Sequence, residues 1–152
     1  MKSSAAIPAL AALLLGAAAV LSPVTSHAQS VAHAAQNAGR HKVVLQVSDS
    51  DPAKWNLALN NARNIQQDLG KGNVDVEIVA YGPGLGMLRM DSKVADRLAQ
   101  ALDNNVGLLA CENTMRNAKV QKADMYGGVS YVDAGVVHIM QRQREGWAYV
   151  RP

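Results

Sequence analysis

From Lys42 onward, short β-branched runs alternate with segments whose apolar residues recur at helical spacing. This alternation constrains the fold more than any other feature. Strands joined through helices need crossover connections, and those build a mainly parallel sheet. Val43-Val44-Leu45-Gln46-Val47 reads as the first strand, followed by the polar loop Ser48 to Asp51. Asp51 is placed to cap a helix with Pro52 at its first position. Trp55, Ala58, Leu59, Ala62, Ile65 and Leu69 mark the buried stripe of that helix, and Gly70 and Gly72 stop it. Val74 to Ala80 is a second strand. Met87, Leu88, Val94, Leu98 and Leu102 form a helix or a helix with a break, and Val106 to Ala110 is a third strand.

A short helix is expected from Asn113 to Val120, capped by Asn113 or Thr114. Val129 to Val132 reads as a fourth strand. A helix opens at Val136 and ends at Gly146, and Trp147 to Val150 is a last strand. The order implies a three-layer α/β sandwich with a mainly parallel sheet of about five strands and right-handed crossovers. There is no internal repeat.

The N-terminal segment has a different character. Lys2 precedes an apolar stretch, Ile7 to Leu21, broken by Pro8, and Ser26-His27-Ala28 has the small residues of a cleavage site. This is the pattern of a secretory signal cut after Ala28. The apolar run is short for a membrane span and has no basic stop-transfer flank. Residues 29–41 are rich in Ala, Gln and Asn and read as a flexible arm, leaving 42–152 as one domain able to bury a core without staples. Export to the periplasm or medium is the expectation, with no membrane attachment once the signal is removed. His33 and His41, in or beside the arm, read as solvated. The net charge of +3 is scattered, without a Lys/Arg run or any phenylalanine, so no nucleic-acid surface is expected.

Cys111 is the only cysteine. An oxidising compartment and one thiol leave three states: buried, paired with another molecule, or free and reactive. Its place at the carboxyl end of a strand, entering a helix, favours a thiolate through the helix dipole. Its apolar predecessors favour a small buried hydrophobe instead, and Glu112 next to it opposes a negative sulfur. Position alone leaves both readings open. His138 is the histidine that folding could bring near it.

Other candidates have plainer explanations beside them. The loop Gly82-Pro83-Gly84-Leu85-Gly86 follows a strand, as phosphate loops do, but lacks their spacing and reads as a tight turn. Asp49, Gly84, Asn113 and Thr114 are the residues expected to line any pocket at the sheet's carboxyl edge. Asp49 with Asp51 suits acid–base work, although capping accounts for Asp51. Arg142, Arg144 and Glu145 read as a solvated helix face or an anion site. Trp55 and Trp147 read as core or subunit contacts. No metal or cofactor is implied.

Four segments together resemble the DsrE/DsrF-like family, the sulfur-relay and sulfur-oxidation group that includes TusD-type proteins. They are Asp51-Pro52-Ala53-Lys54-Trp55, Val76 to Leu85, Leu109-Ala110-Cys111-Glu112-Asn113-Thr114-Met115, and Gln143 to Val150. The resemblance spans 42–152 and is closest to an exported branch. It implies a flavodoxin-like, DsrE-like three-layer fold and homo-oligomers, trimers or hexamers. It also implies a persulfide on Cys111 passed between donor and acceptor proteins. The alternative is a non-catalytic oligomeric binding module in which Cys111 is structural.

Overall fold

A computed structural model describes residues Gly39–Pro152. The expected signal, His33 and most of the expected arm lie outside the described residues. The strands are β1 (His41–Val47), β2 (Val74–Ala80), β3 (Gly107–Cys111), β4 (Ser130–Val132) and β5 (Ala148–Val150). The α-helices are α1 (Pro52–Leu69), α2 (Ala95–Asp103), α3 (Glu112–Ala118) and α4 (Gly135–Arg144). A 3₁₀ helix covers Gly82–Leu88. All strand pairs are parallel, in the order β4-β3-β2-β1-β5. Helices pack on both faces, so the chain has the expected α/β fold.

The chain steps outward from β1 to β4 and then returns beyond β1 to β5, through α4. That return divides the sheet into two unlike faces. Val43, Leu45 and Val47 of β1, Val76 and Ile78 of β2 and Leu108 of β3 point to one side. There they meet Trp55, Ala58, Leu59 and Ala62 of α1 and Leu98 and Ala101 of α2 in the main core. Val44, Val79 and Leu109 point to the other side, where Ile139 of α4 completes a small second cluster. The period-2 alternation of each strand therefore feeds two layers of very different depth.

Local chemistry sets the boundaries. Asp51 Oδ1 accepts the Ala53 amide at 2.8 Å, the predicted cap, with Pro52 opening α1. Trp55 anchors that helix, its indole donating to the Asp49 carbonyl at 2.6 Å. The stripe ends earlier than expected. Leu69 is exposed, and Gln66 is buried instead, donating to the Asn104 carbonyl at 2.8 Å. The expected helix after β2 is indeed broken: the 3₁₀ segment ends at Leu88 and α2 starts only at Ala95.

Three boundaries differ. His41, read as part of the arm, opens β1, and just before it Arg40 is tied to Asp75 at 2.7 Å. α3 begins at Glu112, and its N-cap is Cys111 rather than Asn113 or Thr114. Trp147 precedes β5, because α4 closes with the Trp147 amide donating to the Arg142 carbonyl at 3.0 Å.

Candidate functional site

Cys111 is the last residue of β3, in register with Val132 of β4, and only 5% exposed. Its side chain makes no capping bond within α3. It caps a different helix. The N-cap of α4, Ala134, has no side chain able to satisfy the first amides of that helix. The Gly135 amide donates instead to Cys111 Sγ at 3.2 Å. Two helix N-termini, α3 and α4, thus meet at one sulfur.

Gly135 reaches the sulfur because it has no Cβ. One added there would lie 3.2 Å from Cβ and Cδ1 of Tyr81 and 3.3 Å from Val79 Cγ1. Thr114 stands on the other side. Its hydroxyl oxygen accepts the Gly82 amide at 2.9 Å, which leaves the hydroxyl proton for the sulfur. Burial pushes the Cys111 thiol up. The Thr114 hydroxyl and the amides of Gly135, Thr114 and Asn113 outweigh it and bring the thiol below its ordinary value. The Asn113 amide also donates to the Asp133 carbonyl at 3.0 Å. Tyr81 is coupled to this sulfur through its phenol. Burial first, then Tyr149, raises its phenol above the ordinary range; Arg151 opposes this and Cys111 adds to it. Tyr81 therefore stays protonated where the thiol titrates.

Glu112 does not act as the sequence suggested. Its carboxylate turns to Lys122 at 2.9 Å, which holds it below the usual carboxylate range. Lys122 in turn lies 4.4 Å from the centroid of Tyr131. His138 does not approach the thiol either. Its Nε2 is 2.8 Å from Glu77 Oε2 on β2. Arg142, read as solvated, grips the same carboxylate with two bonds of 2.9 and 2.7 Å, donates to Glu145 at 2.8 Å and stacks over Trp147 at 4.7 Å. Arg144 is exposed.

Of the expected pocket residues, the fold brings Asn113 and Thr114 to Cys111 but not the other two. Asp49 follows β1, with β2 lying between that strand and β3. Gly84 is buried against β1, where a Cβ would fall 2.3 Å from the Val47 carbonyl oxygen, and its amide is used by the Tyr81 carbonyl at 3.1 Å. With the Gly82 amide also committed to Thr114, the glycine loop has spent donors that a phosphate would need. A cleft of about 360 Å³ runs along the segment before Gly135, lined by Tyr131, Asp133, Ala134, Val137 and His138 among others. Among the described residues, no group of three or more His, Cys, Asp or Glu is placed to hold a metal, and no helix is long and apolar enough to cross a membrane.

No family model and no curated protein matches the chain. Among solved structures it is similar to MTH1491, a protein of unknown function from Methanobacterium thermoautotrophicum, with 38% identity and a TM-score of 0.71 over 74% of this chain and 99% of that one. The chain belongs to the family of that archaeal protein. A second structure, the conserved protein of unknown function BT1422 from Bacteroides thetaiotaomicron, shares the fold at 13% identity and a TM-score of 0.56, over 73% of this chain and 94% of that one.

Gly135, Tyr81 and the Glu77 cluster were missed in the sequence. A small residue opening a helix that has no capping side chain was the available signal for Gly135. Glu77 stands out only as a carboxylate at an inward position once the covering helix is known.

Proposed function

We propose that the chain is an exported sulfur carrier of the DsrE/DsrF-like kind that holds sulfane sulfur as a persulfide on Cys111. The observation that carries this reading is the 3.2 Å bond from the Gly135 amide to Sγ, at a thiol already lowered by Thr114. Donors of this kind favour the ionised sulfur over the neutral one, the form that sulfur exchange uses. In the forward step the Cys111 thiolate attacks the outer sulfur of an anionic persulfide or polysulfide donor. The donor's S–S bond breaks, its remainder leaves as a thiolate, and a new S–S bond forms on Cys111. Attack on that outer sulfur by an acceptor thiolate reverses the exchange. Both steps balance without an added oxidant or cofactor. Donor and acceptor are proteins or small thiols of the same compartment.

The test is intact mass of the native chain after exposure to polysulfide. The expected result is a gain of about 32 Da that reducing agent removes, as for any persulfide. Cys111→Ser should show none. Loading that persists in that variant sinks the reading.

The second reading, an oligomeric binding module with a structural cysteine, is favoured by the 5% exposure of Cys111. It predicts a native thiol that resists both alkylation and sulfur, and rapid alkylation counts against it. In either case homo-oligomers, trimers or hexamers, are proposed on the resemblance. Exposed Val136, Val137 and Met140 on α4 and Tyr149 on β5 support this. Light scattering on the purified domain tests it, and a monomer at micromolar concentration refutes it. Export rests on the signal pattern of 1–28, and cell fractionation tests it.

A further inference from the structure

α4 is weakly held by apolar packing. Among its ten residues only Gly135 and Ile139 are buried, while Val136, Val137 and Met140 face outward. A single isoleucine against Val44, Val79 and Leu109 is non-directional. Nothing in that contact sets how far along its axis the helix lies. Yet the Gly135 amide must meet Sγ within hydrogen-bond range.

At the start of α4 the chain is held by the Asn113 amide on the Asp133 carbonyl at 3.0 Å; the directional contacts of the helix body lie one and two turns further along. Among the described residues, the Glu77 side chain on β2 is 14% exposed and is bound from α4, by the fork of Arg142 and by His138. Gly107 on the neighbouring strand makes room for it: a Cβ there would lie 3.2 Å from Glu77 Cγ. The Arg142 guanidinium stacks over the Trp147 ring, and Arg142 also holds Glu145. A partly buried ion pair is a poor source of stability but a good source of registry, because only one setting of the helix satisfies it.

We propose that Glu77, Arg142 and His138 are positioning residues for Cys111: they lock the axial setting of α4 on the sheet and so keep the Gly135 amide on the sulfur. The proposal rests on the reading of Cys111 as a working thiol. The clamp engages α4 one and two turns beyond Gly135, through His138 and Arg142, and its bonds go to Glu77, not to the sulfur. Sulfur chemistry at the end of β3 is governed by a carboxylate in the middle of β2.

The test is the pH dependence of Cys111 alkylation by iodoacetamide in the intact chain, for the native protein, Arg142→Met and Arg142→Lys, with folding checked by circular dichroism. Arg142→Met should raise the midpoint of the rate curve by about half to one pH unit, the worth of one hydrogen bond to the sulfur. Arg142→Lys keeps a charge but loses the fork, and should recover part of the difference. Because Arg142→Met leaves Glu77 uncompensated and can fail to fold, the double variant Glu77→Gln/Arg142→Met is measured as well and must show the same rise. Alkylation that is faster at every pH with an unmoved midpoint means the helix merely loosens over the thiol, and overturns the proposal. An unchanged curve does the same. Sulfur loading of the native chain is measured alongside: its absence removes the carrier reading, while the midpoint comparison still decides the clamp.

Discussion

The two faces of the sheet are built on opposite principles. On one, α1 and α2 cover a deep apolar layer in which Leu45, Ile78, Leu98 and Leu108 are almost fully enclosed. On the other, α4 is the one α-helix laid across β1, β2, β3 and β5 among the described residues. It brings a single enclosed isoleucine, an ion cluster and a row of outward apolar side chains. The first face is redundant: losing one contact leaves many. The second is specific: a few directional bonds decide where the helix lies, and the thiol depends on that placement. Stability and chemistry are separated by the thickness of one sheet.

The largest effect that tests this division is a pair of truncations. Leu45→Ala in the deep layer should cost about 3–5 kcal/mol, since the enclosed cavity cannot collapse. Ile139→Ala should cost about 2 kcal/mol, because a helix with one face in water can settle toward the sheet. Urea unfolding measures both. Equal costs, or a reversal, would break the comparison.

Two glycines sharpen it. A Cβ at Gly84 would fall 2.3 Å from the Val47 carbonyl oxygen, whereas one at Gly135 would lie 3.2 Å from Cβ and Cδ1 of Tyr81, a contact relieved by a shift of a few tenths of an ångström. Gly84→Ala should therefore cost about 3 kcal/mol and Gly135→Ala about 1 kcal/mol. The smaller lesion has the chemical consequence. Moving the Gly135 amide off Sγ should raise the pH midpoint of Cys111 alkylation, and a folded Gly84→Ala should leave it alone. A midpoint that follows stability rather than the Gly135 bond would mean that thiol and fold are not separable.

The same division explains what the sequence made legible. The first face obeys simple periodicities. Trp55, Ala58, Leu59 and Ala62 at helical spacing, and the alternating valines of β1 and β2, led directly to an α/β sheet of five strands. Asp51 and Pro52 marked the start of α1 through local chemistry alone. The carboxyl end of β3 was legible too, because the apolar run stops at Cys111. The second face follows no periodicity. Glu77 alternates with valine and isoleucine as a solvent-facing residue would, and nothing near it in sequence names Arg142, which is 65 residues away. Arg142 and Glu145 have the spacing of an exposed ion pair, which they form, but the fork to Glu77 depends on the crossover. Gly84 reads as a pocket residue in the sequence because a glycine loop after a strand can offer its amides to a ligand. Here the glycine serves close packing. Asn113 and Thr114 reached the thiol because the helix that starts beside it carries them there.

The smallest effect expected is in the pH dependence of stability, and it concerns the sulfur alone. The thiol of Cys111 titrates lower in the folded chain than in the unfolded one, where the ordinary value of about 8.5 applies. A group whose folded value is depressed stabilises the fold most where it is ionised in both states. The contribution is therefore complete above the unfolded value and disappears as pH falls through the folded one. Cys111→Ser removes the titration but keeps a small polar acceptor for Gly135. Tyr81, whose phenol the Cys111 thiolate also raises, titrates above this interval, and the remaining ionisable groups are common to the two proteins. The gap in unfolding free energy between native chain and variant should thus widen in favour of the native chain from neutral pH to about pH 9 and level off beyond. Urea titrations at a series of pH values would show it. A gap that narrows over that interval would mean that burial outweighs the amides of Gly135 and Thr114 at the sulfur. The thiol would then be one that the fold keeps neutral, and the convergence of the two helix N-termini would have a purely architectural role.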